Sequence, residues 1–214
     1  MTHWAMVIDL RKCIGCETCK HVCSDVNDGG WRRVVDIKME DNPKGQKVFI
    51  TMGCMHCVSP PCLEVCPTGA TKHRPDGIVR IDQELCIGCG VCILACPYKS
   101  RKITFEDKVL HQIGHGQENP GRKNPDRIGV CSKCDFCFSF VDAGLKKGLQ
   151  PGKDAEATPL CVRYCIAEAL YFGDLDDPES EVSRLILENK TSCLNEELGT
   201  EPSVFYILND QYCG

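Results

Sequence analysis

Nineteen cysteines in 214 residues, sixteen of them in four groups of four, limit what this chain can fold into more than any other feature. Cys13, Cys16, Cys19 and Cys23 follow C-x2-C-x2-C-x3-C, and Cys86, Cys89, Cys92 and Cys96 repeat that spacing. Cys54, Cys57, Cys62 and Cys66 read C-x2-C-x4-C-x3-C. Cys134, Cys137, Cys161 and Cys165 read C-x2-C, a gap of 23 residues, then C-x3-C. A disulfide framework suits an oxidising compartment, yet Met1–Leu10 lacks the basic start and apolar run of a secretory signal. Structural zinc wants two pairs of ligands per ion, which leaves the third Cys of each tight run oddly placed. Three closely spaced thiolates plus a remote fourth is instead the pattern of a [4Fe-4S] cluster, and in two-cluster ferredoxins the fourth Cys reaches across to the other cluster.

Internal repetition suggests how the groups pair. Ile8-Asp9 followed by Cys13-Ile14-Gly15-Cys16 recurs 73 residues later as Ile81-Asp82 followed by Cys86-Ile87-Gly88-Cys89. Groups two and three lie together between Cys54 and Cys96, so they form an inner module, and groups one and four are left as an outer module into which the inner one is inserted. The expected fold is α+β: two ferredoxin-like 2[4Fe-4S] modules, with long loops and a C-terminal tail. The outer module takes residues 1–45 and 127–175, the inner one 46–106, a polar linker 107–126, and a subunit-docking tail 176–214.

The ligand map expected from spacing has four sets. Cys13, Cys16, Cys19 and Cys165 hold one outer cluster, and Cys134, Cys137, Cys161 and Cys23 hold the other. Inside, Cys54, Cys57, Cys62 and Cys96 form one set and Cys86, Cys89, Cys92 and Cys66 the other. Gly15, Gly88 and Gly90 sit where a loop wrapping a cluster needs positive φ. Cys131 creates a competing C-x2-C-x2-C with Cys134 and Cys137; it is read as a buried small hydrophobe, and Cys193 and Cys213 as structural or surface thiols. Lys99, Arg101 and Lys102 either offset cluster charge or line a solvated strand. His21 and His56 are loop histidines or hydrogen-bond donors to sulfur. His111 and His115 belong to a solvated loop.

Composition removes other classes. The formal charge of -5, from 25 basic and 30 acidic residues, lacks the clustered Lys and Arg of a nucleic-acid surface. No stretch approaches the ~20 apolar residues of a membrane span. No G-x-G-x-x-G opens a helix and no Ser-His-Asp pattern appears, so no active site for transforming a substrate is expected. Trp4 to Asp9 and Ile78 to Ile81 predict short strands entering cluster loops, and short helices begin near the third Cys of each run. Residues 138–160 read as a spacer broken at Gly144 and Gly148, and Val182 to Leu187 as a short amphipathic helix.

Four segments carry a family resemblance: Trp4-Ala5-Met6-Val7-Ile8-Asp9-Leu10-Arg11-Lys12-Cys13, Cys66-Pro67-Thr68-Gly69-Ala70, Lys133-Cys134-Asp135-Phe136-Cys137 and Phe172-Gly173-Asp174-Leu175-Asp176-Asp177-Pro178. Together with Gly199-Thr200-Glu201-Pro202-Ser203-Val204 they make nearly the whole chain resemble the iron-sulfur subunit of complex molybdopterin oxidoreductases. The resemblance implies a wire whose outer module faces a Mo/W-bis-pterin catalytic subunit and whose inner module faces a membrane quinone-binding subunit or a soluble acceptor. Where the nitrate reductase branch has a Trp for one Cys of group three, all four Cys stand here, so four [4Fe-4S] clusters are expected. The C-terminal membrane helix of formate dehydrogenase relatives is not expected. The implied location is cytoplasmic or membrane-associated through a partner, with periplasmic co-export left open. A free polyferredoxin and a zinc-stapled interaction module are the competing readings.

Overall fold

The computed structural model describes residues 1–27, 30–37, 47–103 and 129–208. The expected linker, His111, His115 and Cys213 lie outside the described residues. The first strand, β1 (Trp4–Asp9), is buried at all six positions, because both of its edges and both of its faces are covered. It pairs antiparallel with β8 (Leu170–Asp174) and parallel with β10 (Val204–Ile207), which pairs in turn with β9 (Thr191–Ser192). Alternation along β1 assigns the faces. Trp4, Met6 and Ile8 join the main core with Phe136, Phe172 and Tyr206, whereas Val7 packs with Val182 and Ile207. Burying side chains of this kind contributes about 1.5–3 kcal/mol each.

Val182 belongs to the helix Glu181–Glu188, where Ser180 Oγ accepts from the Ser183 N–H at 3.2 Å and so caps the first turn. The amphipathic helix expected at Val182 to Leu187 is therefore present, and residues 176–207 are built into the central sheet through β9 and β10. Residues 138–160 depart from expectation. Phe138–Lys146 is a nine-residue helix rather than a broken spacer. Gly144 does not interrupt it; a Cβ there would lie 2.3 Å from the Ala157 Cβ, so the glycine lets the 3-10 turn Ala155–Ala157 press against the helix.

Three hairpin-like pairs surround this sheet: β2 (Arg33–Ile37) with β3 (Val48–Met52), β4 (Thr71–His73) with β5 (Val79–Ile81), and β6 (Lys102–Ile103) with β7 (Cys131–Ser132). Four short helices carry cysteines: α1 (Thr18–Val26), α2 (Pro61–Glu64), α3 (Val91–Ala95) and α5 (Leu160–Arg163). Among the described residues the cysteine-free helices are α4 (Phe138–Lys146) and α6 (Glu181–Glu188). α1 packs on α5, and α2 packs on α3. The repeated Ile-Asp pair makes equivalent contacts in the two halves. The Asp9 N–H donates to the Ala169 carbonyl at 2.8 Å, and the Asp82 N–H donates to the Ala70 carbonyl at 2.7 Å.

The β4–β5 turn is tied to α4 and to β1. Arg74 makes two hydrogen bonds to Asp142 on α4, at 2.9 and 2.8 Å, and also bonds Asp76. The Trp4 N–H donates to the Asp76 carbonyl at 3.0 Å. Among the described residues no helix is long and apolar enough to cross a membrane.

Gly15, Gly88 and Gly90 have φ of 70°, 67° and 76°, as the loop argument expects. At Gly88 the constraint is also steric, since a Cβ would lie 2.0 Å from the Gly129 carbonyl oxygen. Gly88→Ala is expected to cost about 2 kcal/mol or more, combining positive-φ strain with a backbone clash. A fall of several degrees in the apparent melting temperature of the loaded protein is the readout; an unchanged midpoint would contradict this packing.

Candidate iron-sulfur centres

Helix geometry orients the C-x3-C pair of α1, whereas in the other three runs the fourth cysteine, Cys66, Cys96 or Cys165, lies past the end of its helix. Residues i and i+4 share one face of a helix about one turn apart. On α1 the buried residues are Cys19 and Cys23, so their sulfurs point the same way from successive turns. Cys62, Cys92 and Cys161 are likewise the buried residues of α2, α3 and α5.

The thiols gather in sets. Burial pushes the Cys13 thiol up, and the neighbouring Cys19, Cys165 and Cys16 push it further against the Gly15 N–H. Burial pushes Cys57 up to about 12; the Thr200 hydroxyl opposes this, and Cys54, Cys62 and Cys96 add to it. Cys134 is raised by burial, opposed by Arg32, and raised further by Cys23 and Cys161. Burial also raises Cys137, with Cys161 and Cys134 next. Cys66, Cys86, Cys89 and Cys92 line one cavity together with Cys131 and Arg101. Thiols of groups one and four thus lie near one another, as do those of groups two and three, and Cys161 has both Cys23 and Cys19 beside it.

These donors suit a cluster. Buried thiols that raise one another are a donor set suited to a [4Fe-4S] cluster, whose iron would supply the missing positive charge.

Two buried arginines sit among the sulfurs, one in each half. Arg101 is 4% exposed; its Nη2 donates to Cys62 Sγ at 2.9 Å and its Nη1 to Thr71 Oγ1 at 3.0 Å. Burial works against its charge, but Cys62, Cys92, Cys54 and Cys131 outweigh that and hold it ionised. Arg101 is therefore not on a solvated strand face; it lies buried among thiols, where it can offset their charge. Arg32 is its counterpart, 7% exposed, with burial opposed by Cys161, Cys134 and Cys19. Nothing in the local sequence around Arg32 announces this role.

Backbone donors reach other sulfurs. Trp31 N–H bonds Cys23 Sγ at 3.2 Å, Ala169 N–H bonds Cys165 Sγ at 3.3 Å, and His56 N–H bonds Cys54 Sγ at 3.5 Å. Such bonds stabilise the more negative, reduced state of a cluster and raise its potential.

Cys131 packs in a small core with Cys62, Val79 and Cys92, as the buried-hydrophobe reading expects. It is buried, but it stands beside group three rather than group four. Its Sγ shares a hydrogen bond with Cys92 Sγ at 3.5 Å, and its N–H donates to Cys86 Sγ at 3.4 Å. Their shared hydrogen bond lowers Cys92 and raises Cys131. The pairing of β6 with β7 carries it there. Cys193 is half-buried, bonded to the Pro202 carbonyl at 3.7 Å and pushed up to about 11 by burial, as a structural thiol would be. His21 is exposed on α1, whereas His56 is fully buried.

Comparisons with known proteins agree with this chemistry. Two family models, each described as a 4Fe-4S dicluster domain, match residues 5–67 and 46–113. The chain is 38% identical over 222 residues to a selenate reductase subunit of Mesobacillus selenatarsenatis, covering 95% of this chain and 71% of that protein. It is 38% identical over 231 residues to a dimethyl sulfoxide reductase iron-sulfur subunit of Halobacterium salinarum, covering 100% and 82%. A sulfite dehydrogenase subunit of Allochromatium vinosum is 34% identical over 228 residues, covering 97% and 83%. With matches that span almost the full described fold and every cysteine group, the chain belongs to the iron-sulfur electron-transfer subunits of molybdopterin oxidoreductases.

Proposed function

We propose that this subunit passes single electrons in series through four [4Fe-4S] clusters held by the four cysteine sets above. The sets form two nested modules that link a Mo/W-pterin catalytic subunit to a quinone-reactive membrane subunit or a soluble acceptor. Support for the pairing comes from the mutual proximity of each set's thiols. The packing of α1 on α5 and of α2 on α3 points the same way.

The observation that carries the serial order is the exposure of the cysteines. Cys16 and Cys89, the second cysteines of groups one and three, are exposed, while Cys57, Cys134 and Cys161 are buried. The first and fourth sets of the proposed relay each include one exposed cysteine and the second and third include none, which supports this order. Apolar side chains flank both ends. Ile14 is 60% and Ile166 69% exposed beside the first set; Ile87 is 67% and Leu94 88% exposed beside the last. Such patches suit docking to protein partners. Residues 176–208 leave Leu187 and Leu198 exposed as well, which supports a docking role for part of that segment. By family resemblance the outer module faces the catalytic subunit.

When bound, each cluster supplies a one-electron centre with little rearrangement. The chain's own residues do the rest. Thiolates fix the centres, N–H groups and the Arg32 and Arg101 guanidiniums favour the reduced state, and the core around Trp4, Met6 and Phe172 keeps water from the enclosed sets.

Anaerobic purification of the tagged chain from its native host tests this. About four irons and four sulfides per cluster, close to sixteen of each per chain, are expected, together with a co-purifying pterin-bearing subunit. A fully loaded chain that elutes alone would return the free-carrier reading, and colourless protein containing zinc would overturn the clusters altogether.

A further inference from the structure

Two rings meet where the halves of the chain touch. His56 precedes Cys57 in the Cys54–Cys57 pair, and Phe136 precedes Cys137 in the Cys134–Cys137 pair, so they hold matching positions in loops of different modules. The rings stack with centroids 3.8 Å apart and planes 22° from parallel. Their exposures are 0% and 1%. Both residues have left-handed backbone, φ 45° and 56°, a sparsely populated region for residues other than glycine. The same strained turn in both loops presents the two rings to each other.

Neighbouring contacts fix this meeting. The Val79 N–H donates to His56 Nδ1 at 3.1 Å, which leaves Nε2 as the protonated nitrogen of a neutral ring. Burial first, and then the charge of Lys133, keep that ring neutral. Lys133 spans the same seam by donating to the Val79 carbonyl on one side and, at 2.9 Å, to the Cys134 carbonyl on the other. Phe136 is held from behind by the edge of Phe172 at 5.4 Å, and Phe172 stacks on Trp4 at 5.3 Å. Gly53, next to Cys54, lies against Cys134, whose Cβ is 3.5 Å from where a glycine Cβ would stand.

We infer that the His56–Phe136 pair is the crossing point between the modules: it clamps the Cys54–Cys57 loop to the Cys134–Cys137 loop and sets the gap that an electron crosses. The inference rests on the ligand sets proposed above. One electron would pass, in either direction, between the centre held by Cys134, Cys137, Cys161 and Cys23 and the centre held by Cys54, Cys57, Cys62 and Cys96, the donor being oxidised and the acceptor reduced by one level. No bond forms or breaks, no proton moves, and the rings are neither oxidised nor reduced. His56 and Phe136 are positioning residues. A purely packing role would make the pair matter for stability and leave electron exchange untouched.

The test uses the full-length, iron-loaded protein carrying His56→Leu, Phe136→Leu or His56→Phe. His56→Gln serves as a further variant that keeps an acceptor for Val79 but no ring. Magnetic interaction between neighbouring reduced clusters is read by electron paramagnetic resonance, and redistribution of an injected electron by rapid freeze-quench. Variants without the ring pair are expected to keep their iron, to show a weaker spin–spin interaction and to redistribute the electron about tenfold more slowly, equivalent to about 1.4 kcal/mol of barrier. His56→Phe is expected to restore both. Full loading with unchanged interaction and rate in His56→Leu and His56→Gln would overturn the crossing alone. Fewer than four clusters in the unsubstituted protein would overturn the ligand sets and the crossing with them.

Discussion

Arg101→Gln lowers the midpoint potentials of the two inner clusters, by an expected ~60–130 mV at the nearer one. The range follows from the ~1.5–3 kcal/mol of a hydrogen bond to a charged group and 59 mV per tenfold for one electron. The sign comes from charge. Arg101 donates to Cys62 Sγ at 2.9 Å and lies close to Cys92 and Cys54, so its positive charge stabilises the more negative, reduced centre most. Removing that charge penalises reduction. Potentiometric titration followed by electron paramagnetic resonance measures the shift. Arg32→Gln provides the internal control, because Arg32 lies among Cys161, Cys134 and Cys19 and acts on the outer pair instead. Inner potentials that stay fixed in Arg101→Gln and move in Arg32→Gln would invert the assignment.

Loss of a ligand is expected to have the largest effect on composition, and its size depends on which ligand is removed. Cys66→Ser is expected to remove or convert one centre, taking iron from about sixteen toward about twelve per chain. Quinone-linked turnover is interrupted, while the catalytic partner continues with an artificial acceptor. Cys92→Ser is expected to be milder. Cys131 Sγ stands 3.5 Å from Cys92 Sγ and can supply a replacement thiolate. The double variant Cys92→Ser with Cys131→Ser then behaves like Cys66→Ser. Iron analysis of the three proteins decides the matter. Equal iron loss in the single Cys92 variant and the double variant would show that Cys131 is no substitute.

What the sequence disclosed and what it withheld divide along the range of the interactions involved. β1 could be read from Trp4-Ala5-Met6-Val7-Ile8-Asp9 because a doubly covered strand is an unbroken apolar run, and α6 because Val182, Leu185 and Ile186 recur at helical spacing. The cysteine groups were equally visible, since three ligands of each tight run are local. Arg32 and Arg101 were not visible as a pair: their partners Cys161 and Cys62 lie far along the chain, and an isolated arginine has no local signature. The burial of Cys131 was legible but its neighbours were not, because its spacing points toward Cys134 whereas the β6–β7 pairing delivers it to group three. The helix Phe138–Lys146 was missed because Gly144, which as a local signal predicts a break, serves a close approach to Ala157. The meeting of His56 with Phe136 depends on how two modules dock, and no periodicity within either loop encodes it.

The parallel pairing of β1 with β10, Met6 opposite Val204 through Asp9 opposite Ile207, has a consequence for biosynthesis. A ribosome releases the first of these strands long before the other, so at ~5–20 residues per second an interval on the order of 10–40 s separates them. Throughout that interval β1 has an open edge and the nascent thiols lack their finished enclosure. Metal delivery is therefore expected to follow translation, under the protection of a holding chaperone or an anaerobic cytosol.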